Sequence, residues 1–214
     1  MVSERNCKSF NYMYNLEIRE LSDAETLTAA RVLGRGMRDN PIHIQVFGPN
    51  ADRRERALSL MFAPVLRQQV RKGIVLGALT SGEVVGLTGM VPPGCCQLTI
   101  PEKIVILPAL FRGSGLKSTL RVLEWTADWS RNDSKSTYWH LGPVAIDRNL
   151  QGQGIGSALL NAFCQRIDNH KSAAYLETDK EENVTFYERF GFEVVDQHPV
   201  LGIKNWFMFR DIRA

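Results

Sequence analysis

The segment Gln151-Gly152-Gln153-Gly154-Ile155-Gly156 follows an apolar run, Leu141 to Ile146, and opens a helical pattern, Ser157 to Ile167. Three glycines between a strand and a helix bring bare backbone up to a helix N-terminus. There, unpaired N–H groups and the positive end of the helix dipole favour a phosphate group. A further apolar run, Ala173 to Thr178, follows the helix, so strand, glycine turn, helix and strand form one parallel unit. The chain is thereby committed to an α/β fold that binds something phosphorylated.

Two well-known phosphate loops fit poorly. The dinucleotide fingerprint G-x-G-x-x-G requires one more residue than the G-x-G-x-G found here. The nucleotide loop G-x-x-x-x-G-K-[ST] is missing altogether, since the chain contains no Gly-Lys pair. The pattern Gln151-x-x-Gly154-x-Gly156 instead resembles the coenzyme A pyrophosphate loop of the GCN5-related N-acetyltransferase (GNAT) superfamily. A second stretch, Asn183-Val-Thr-Phe186-Tyr187-Glu-Arg-Phe190-Gly191-Phe192, is similar to the element N-x-x-x-x-Y-x-x-x-G-F that follows this loop in the same superfamily. Its spacing has a physical sense. Asn183 and Tyr187 are four apart and share one helix face, and Gly191 suits a left-handed cap that ends the helix.

The remaining order of elements agrees with that resemblance. Leu16 to Leu21 alternates as a strand, and Ser22 or Asp23 caps a helix running towards Met37. Asp39-Asn40-Pro41 breaks it. A second helix is predicted over Asp52 to Lys72, kinked or restarted at Pro64. Gly73 to Thr80 and Glu83 to Val91 form a hairpin across Ser81-Gly82. The tract from Cys95 to Gly115 has weak periodicity, and an amphipathic helix follows with Leu116, Leu120, Leu123 and Ala127 on one face. The strand Ser136 to Ile146 enters the glycine loop, and the chain closes with strands from Phe192 and Asn205. The expected fold is a mixed α/β sheet with helices on both faces, in one domain over residues 1–214, with 1–14 as a flexible N-terminal tail. The tracts Leu141-Gly-Pro-Val-Ala-Ile and Leu176-Glu-Thr further resemble the small-molecule branch that includes puromycin acetyltransferase.

The resemblance implies acetyl-CoA as donor, coenzyme A as product and a primary amine as acceptor, attacked directly in a ternary complex. It implies that the backbone of Val144, Ala145 and Ile146 pairs with the pantetheine arm where two parallel strands splay. It likewise implies that the N–H groups of Gln151, Gly152, Gln153, Gly154, Ile155, Gly156 and Ser157 hold the pyrophosphate. Asn183 and Phe186 would complete the coenzyme site, and Tyr187 would protonate the departing thiolate.

The general base is open between two residues of the neighbouring strands, with a water chain as the third route. Glu177 lies between Leu176 and Thr178, so strand alternation sends it to the opposite face, towards the substrate if those two face the core. His140 stands on the adjoining strand. The acceptor pocket is expected from the Asn40 to Asn50 connection, the loop after Val91 and the Gln197 to Lys204 hairpin tip, with His43, Phe47 and His198 as lining.

Composition narrows the partners. A net charge of +3 on 214 residues gives no reason to expect nucleic acid or membrane binding. No 18-residue apolar window and no apolar leader stretch occur, which points to a cytoplasmic protein. The four cysteines, Cys7, Cys95, Cys96 and Cys164, lack zinc-ligand spacing, so reduced thiols and no metal are expected. A homodimer, a protein N-terminal or lysine acetyltransferase, a non-catalytic acyl-CoA sensor and a nucleotide-binding module are the alternatives the sequence leaves.

Overall fold

The computed structural model describes residues 15–95, 99–132 and 137–212. The expected tail, 1–14, lies outside them, as do Cys7, Cys96 and the first residue of the predicted strand at 136. Among the described residues, seven strands form one mixed sheet: β1 (Leu16–Glu20), β2 (Ile74–Thr80), β3 (Glu83–Val91), β4 (Tyr138–Ile146), β5 (Ala173–Thr178), β6 (Glu193–Val200) and β7 (Ile203–Arg210). Their order is β1-β2-β3-β4-β5-β7-β6. All neighbours are antiparallel except β4 and β5. Two tight turns hold the antiparallel parts. Ser81 and Gly82 have φ of 52° and 80°, and Leu201 and Gly202 have 51° and 79°, the positive pair that a two-residue hairpin requires.

Among the described residues, six α-helices cover the sheet: α1 (Thr26–Met37), α2 (Pro41–Phe47), α3 (Ala51–Lys72), α4 (Ile100–Asn132), α5 (Ile155–Asn169) and α6 (Glu181–Glu188). On one face Val32 and Leu33 of α1, Leu58 and Leu66 of α3 and Trp125 of α4 meet Tyr138 and Tyr175. On the other, Leu159, Leu160 and Phe163 of α5 meet Leu141, Leu176 and Met208. Each fully buried side chain of this size contributes about 1.5–3 kcal/mol. Strand alternation thus decides the site: Tyr138 and Tyr175 point to the α1–α4 side, and so do His140 and Glu177, two residues further along their strands. Close approach of α1 to β4 depends on Gly36, where an added Cβ would stand 2.4 Å from the carbonyl oxygen of Ile146.

Several expectations are corrected. The Asn40 to Asn50 connection contains α2, which Pro41 opens at a first-turn position where its missing N–H costs nothing. α3 runs through Pro64 without a restart, because Met61, Phe62 and Leu66 bury both halves against one core. The weakly periodic tract is helical from Ile100, and the non-helical break falls at Gly115, with φ of 77°. The predicted apolar face of the second half is turned outward: Leu116, Leu120 and Leu123 are 63%, 57% and 41% exposed. Val122, Trp125 and Trp129 face inward instead, since two indoles four residues apart remove more apolar surface from water than three leucines at the edge.

Candidate active site

β4 and β5 pair over only three positions, Tyr138 with Ala173, Trp139 with Ala174 and His140 with Tyr175. Beyond His140 the two strands separate. β4 stays on β3, with Val144 opposite Thr88, Ala145 opposite Leu87 and Ile146 opposite Gly86. The pairing shifts register between Thr88 and Met90, where Gly142 and Pro143 form a bulge, a place that tolerates a proline with no N–H to give. The β5-facing edge of Val144, Ala145 and Ile146 therefore borders an opening, not a strand.

At the far end of β4 the chain turns into α5. Gly152 has φ of 77° and Gly154, the N-cap of α5, has φ of 84°. Residues with a Cβ adopt this conformation at a cost, so glycine is the residue the turn selects. Gln151 fixes the loop by donating from Nε2 to the carbonyls of Gly36 and Ile146, both at 3.2 Å. Gln153 donates to the Asn149 carbonyl at 3.4 Å. Ile155 is buried, anchoring the first turn, and Gly156 and Ser157 follow. First-turn N–H groups have no acceptor inside their own helix, so this end offers donors and a positive dipole to an anion. Arg148 is not committed to that anion: it pairs with Asp39 at 3.0 Å.

The second motif lies across the opening. Asn183 donates to Thr178 Oγ1 at 3.1 Å. Gly191, with φ of 84°, ends α6, its N–H bonded to the Glu188 carbonyl at 2.9 Å. Phe186 packs beneath the start of α5, its ring 3.5 Å from where a Gly156 Cβ would stand, and its ring meets those of Tyr187 and Phe190. Tyr187 is buried. Burial, reinforced by the Asp179 charge, pushes its phenol above the ordinary tyrosine range. The group stays a proton donor under any neutral condition.

His140 and Glu177 face each other across the split. Their side chains meet at 2.6 Å between Nε2 and Oε2, with 21% and 5% of the side chains exposed. Two residues that sequence reasoning weighed as rival bases are one hydrogen-bonded pair. Asp179, next on the same side of the opening, accepts from the Ile42 N–H at 2.7 Å and from Asn40 at 3.3 Å, and so ties α2 to β5. Asp179→Ala would leave that buried N–H unpaired. A loss of about 1–3 kcal/mol is expected, read from the urea midpoint.

His140, Glu177, Asp179, Asn183, Tyr187 and Val144 all border one cavity of about 560 Å³, a size in the range of small-molecule sites. Its opposite walls come from α3 and α4, through Phe62, Val65, Leu110, Trp125 and Trp129. His43 lines it as expected, and burial lowers its imidazole pKa. Phe47 does not; it is buried in the core beside His43. Nor does the hairpin tip: His198 stacks on Phe207, ring centres 4.3 Å apart, away from the opening. The α3 and α4 walls escaped sequence reasoning. The i, i+4 pair Trp125 and Trp129, beside an inward Val122, was the available signal.

Residues 122–194 match the model of the acetyltransferase (GNAT) domain. The mycothiol acetyltransferase of Corynebacterium aurimucosum is 27% identical over 103 residues, 47% of this chain; the match spans 33% of that protein's length. Among crystal structures, the histone acetyltransferase HPA2 and related acetyltransferase of Corynebacterium glutamicum superposes with a TM-score of 0.69. It is 22% identical and covers 94% of this chain and 98% of that one. A GNAT family acetyltransferase from Brucella melitensis, crystallised with acetyl-CoA, gives a TM-score of 0.52 at 17% identity, covering 93% and 89%. The architecture is the GNAT fold: mixed sheet, splayed parallel pair, and glycine loop opening a helix.

Proposed function

We propose that the protein is an N-acetyltransferase that moves the acetyl group of acetyl-CoA to a primary amine of a small molecule, acting in the cytoplasm. One observation carries this reading: the hydrogen-bonded His140–Glu177 pair and the protonated Tyr187 border the same cavity at the point where β4 and β5 part. A base and an acid on one cavity are what acyl transfer to an amine requires.

Acetyl-CoA supplies the thioester. The backbone N–H and C=O groups of Val144, Ala145 and Ile146 would pair with its pantetheine arm, and Asn183 would bind the arm from the other side. The N–H groups of Gln151 to Ser157 would hold its pyrophosphate; the positive φ at Gly152 and Gly154 supports the fit, because no Cβ crowds that end. Phe186 would act only by shaping the floor beneath α5.

His140 would take the proton that the amine nitrogen loses as its lone pair attacks the thioester carbon. Glu177 would orient the imidazole and stabilise its charge, as a carboxylate does beside a catalytic histidine. A backbone N–H near Val144 would stabilise the oxyanion. As the carbon–sulfur bond breaks, Tyr187 would give its proton to the thiolate, leaving coenzyme A and the N-acetylated amine. The enclosure of the cavity by α3 and α4 favours a small acceptor over an extended peptide.

Initial rates of thiol release with both substrates varied test this directly. Intersecting reciprocal plots and an acetylated amine in the mass spectrum are expected. Parallel plots would point to an acetylated enzyme instead.

A further inference from the structure

The acceptor wall carries more information than the chemistry end. Phe62 and Val65 of α3 and Ile106, Leu110, Trp125 and Trp129 of α4 make it largely apolar, with Gln68, Gln69, Lys72 and Thr126 as its polar members. The two indoles sit edge to face with ring centres 4.8 Å apart, and His43 abuts Trp125 in the same manner at 5.5 Å. Such a corner offers aromatic edges and faces in fixed directions, the arrangement that accepts another ring.

The charges around this wall are equally selective. Lys72 is the only lysine or arginine among the described residues that border the cavity. It is already held by Glu102 at 2.5 Å. Lys72 and the Thr99 N–H pull the Glu102 carboxyl down to about 2, so that pair is intact across the physiological range. Burial disfavours a charge on His43. On the chemistry side stand Glu177 and Asp179. The cavity therefore attracts an ammonium group at one end, and among the described residues its lining holds no unpaired lysine or arginine for a carboxylate, where an unpaired buried anion is costly.

We infer that the acceptor is a primary amine bearing an aromatic or similarly ring-sized apolar body and no carboxylate, its ring lodged between α3 and α4 against Trp125 and Trp129. This rests on the transferase reading and adds the substrate class to it. The ammonium form enters towards Glu177 and Asp179 and releases one proton to solvent to free its lone pair; His140 takes the second proton as the nitrogen–carbon bond forms, and Tyr187 protonates the departing thiolate.

The test compares kcat/KM for phenethylamine and tryptamine with phenylalanine and tryptophan, which differ by the carboxylate alone, and with spermidine and a lysine peptide. The aromatic amines are expected to exceed every other compound by tenfold or more. Trp129→Ala should raise KM for tryptamine about tenfold and leave KM for acetyl-CoA unchanged, whereas Trp129→Phe, which keeps a ring, should stay within threefold of the parent. Calorimetry of phenethylamine with the coenzyme A-saturated protein should give saturable binding without turnover. Preference for spermidine, an amino acid or a peptide would overturn the inference and leave the transferase intact. Coenzyme A binding with neither binding nor turnover of the aromatic amines would overturn it too. Failure to bind coenzyme A at all would instead refute the transferase reading on which it stands.

Discussion

Replacing His140 by alanine is expected to lower kcat by about 10²–10⁴-fold, the usual worth of a positioned general base. The reason lies in the partner. Glu177 is nearly fully buried, meets His140 at 2.6 Å, and is thereby dedicated to one imidazole. Glu177→Gln keeps the shape and removes the charge that would support an imidazolium. A loss of about 10–100-fold is expected there, equal to a charge-assisted hydrogen bond of about 1.5–3 kcal/mol. Because the two act as a unit, the double variant should lose little more than His140→Ala alone. Coenzyme A affinity of His140→Ala should stay within about threefold of the parent. A double variant whose losses multiply would show that the two act independently, and a His140→Ala protein with the parent's kcat would leave the proton to a water chain.

Tyr187→Phe is expected to lower kcat by about 10–100-fold while KM for acetyl-CoA moves less than about threefold. The hydroxyl is asked to act only as the carbon–sulfur bond breaks, so removing it costs transition-state and not ground-state binding. Its pH behaviour has a definite sign. Burial and the Asp179 charge raise the phenol above its ordinary value, so the acid form persists past pH about 10, where a free tyrosine titrates. The folded state then holds this proton more tightly than the unfolded chain. The associated stability is complete below pH about 10 and is lost as pH rises towards the higher folded value. Alkaline unfolding should therefore be steeper in the parent than in Tyr187→Phe. Equal kcat in the two proteins would make Tyr187 a packing residue and nothing more.

The glycine-loop end proposed to hold coenzyme A was legible as local structure in the sequence. Gln151 to Gly156 and Asn183 to Phe192 act through backbone turns and i, i+4 spacing, and both patterns survive into the structure as φ of 84° at Gly154 and again at Gly191. Strand alternation was equally readable for Glu177, which it sends to the face opposite Leu176 and Thr178; His140 was a candidate only by standing on the adjoining strand. Their meeting was not readable, since it depends on where β4 and β5 stop pairing, a matter of the bulge at Gly142 and Pro143. The acceptor wall was illegible for a different reason. Phe62, Leu110 and Trp129 come from two helices far apart in the chain, and α4 turns its leucine stripe outward once Gly115 interrupts it. Hydrophobic spacing alone does not tell which of two apolar faces wins. The hairpin tip illustrates the converse: a polar segment with a histidine suggested substrate contact, yet His198 is spent stacking on Phe207.

The central claim is that the splayed β4–β5 pair and the glycine loop bind coenzyme A, and a thermal-shift titration with coenzyme A tests it most directly. At about 100 times its Kd, a ligand bound only by the folded state adds about 2.7 kcal/mol, or about 5–10 °C in Tm for a chain of this length. The account predicts such a saturable rise for the parent protein and a much weaker one for Gly154→Val, which puts a branched Cβ at positive φ in the phosphate loop. A melting temperature indifferent to coenzyme A, in a protein that melts cooperatively, would contradict it.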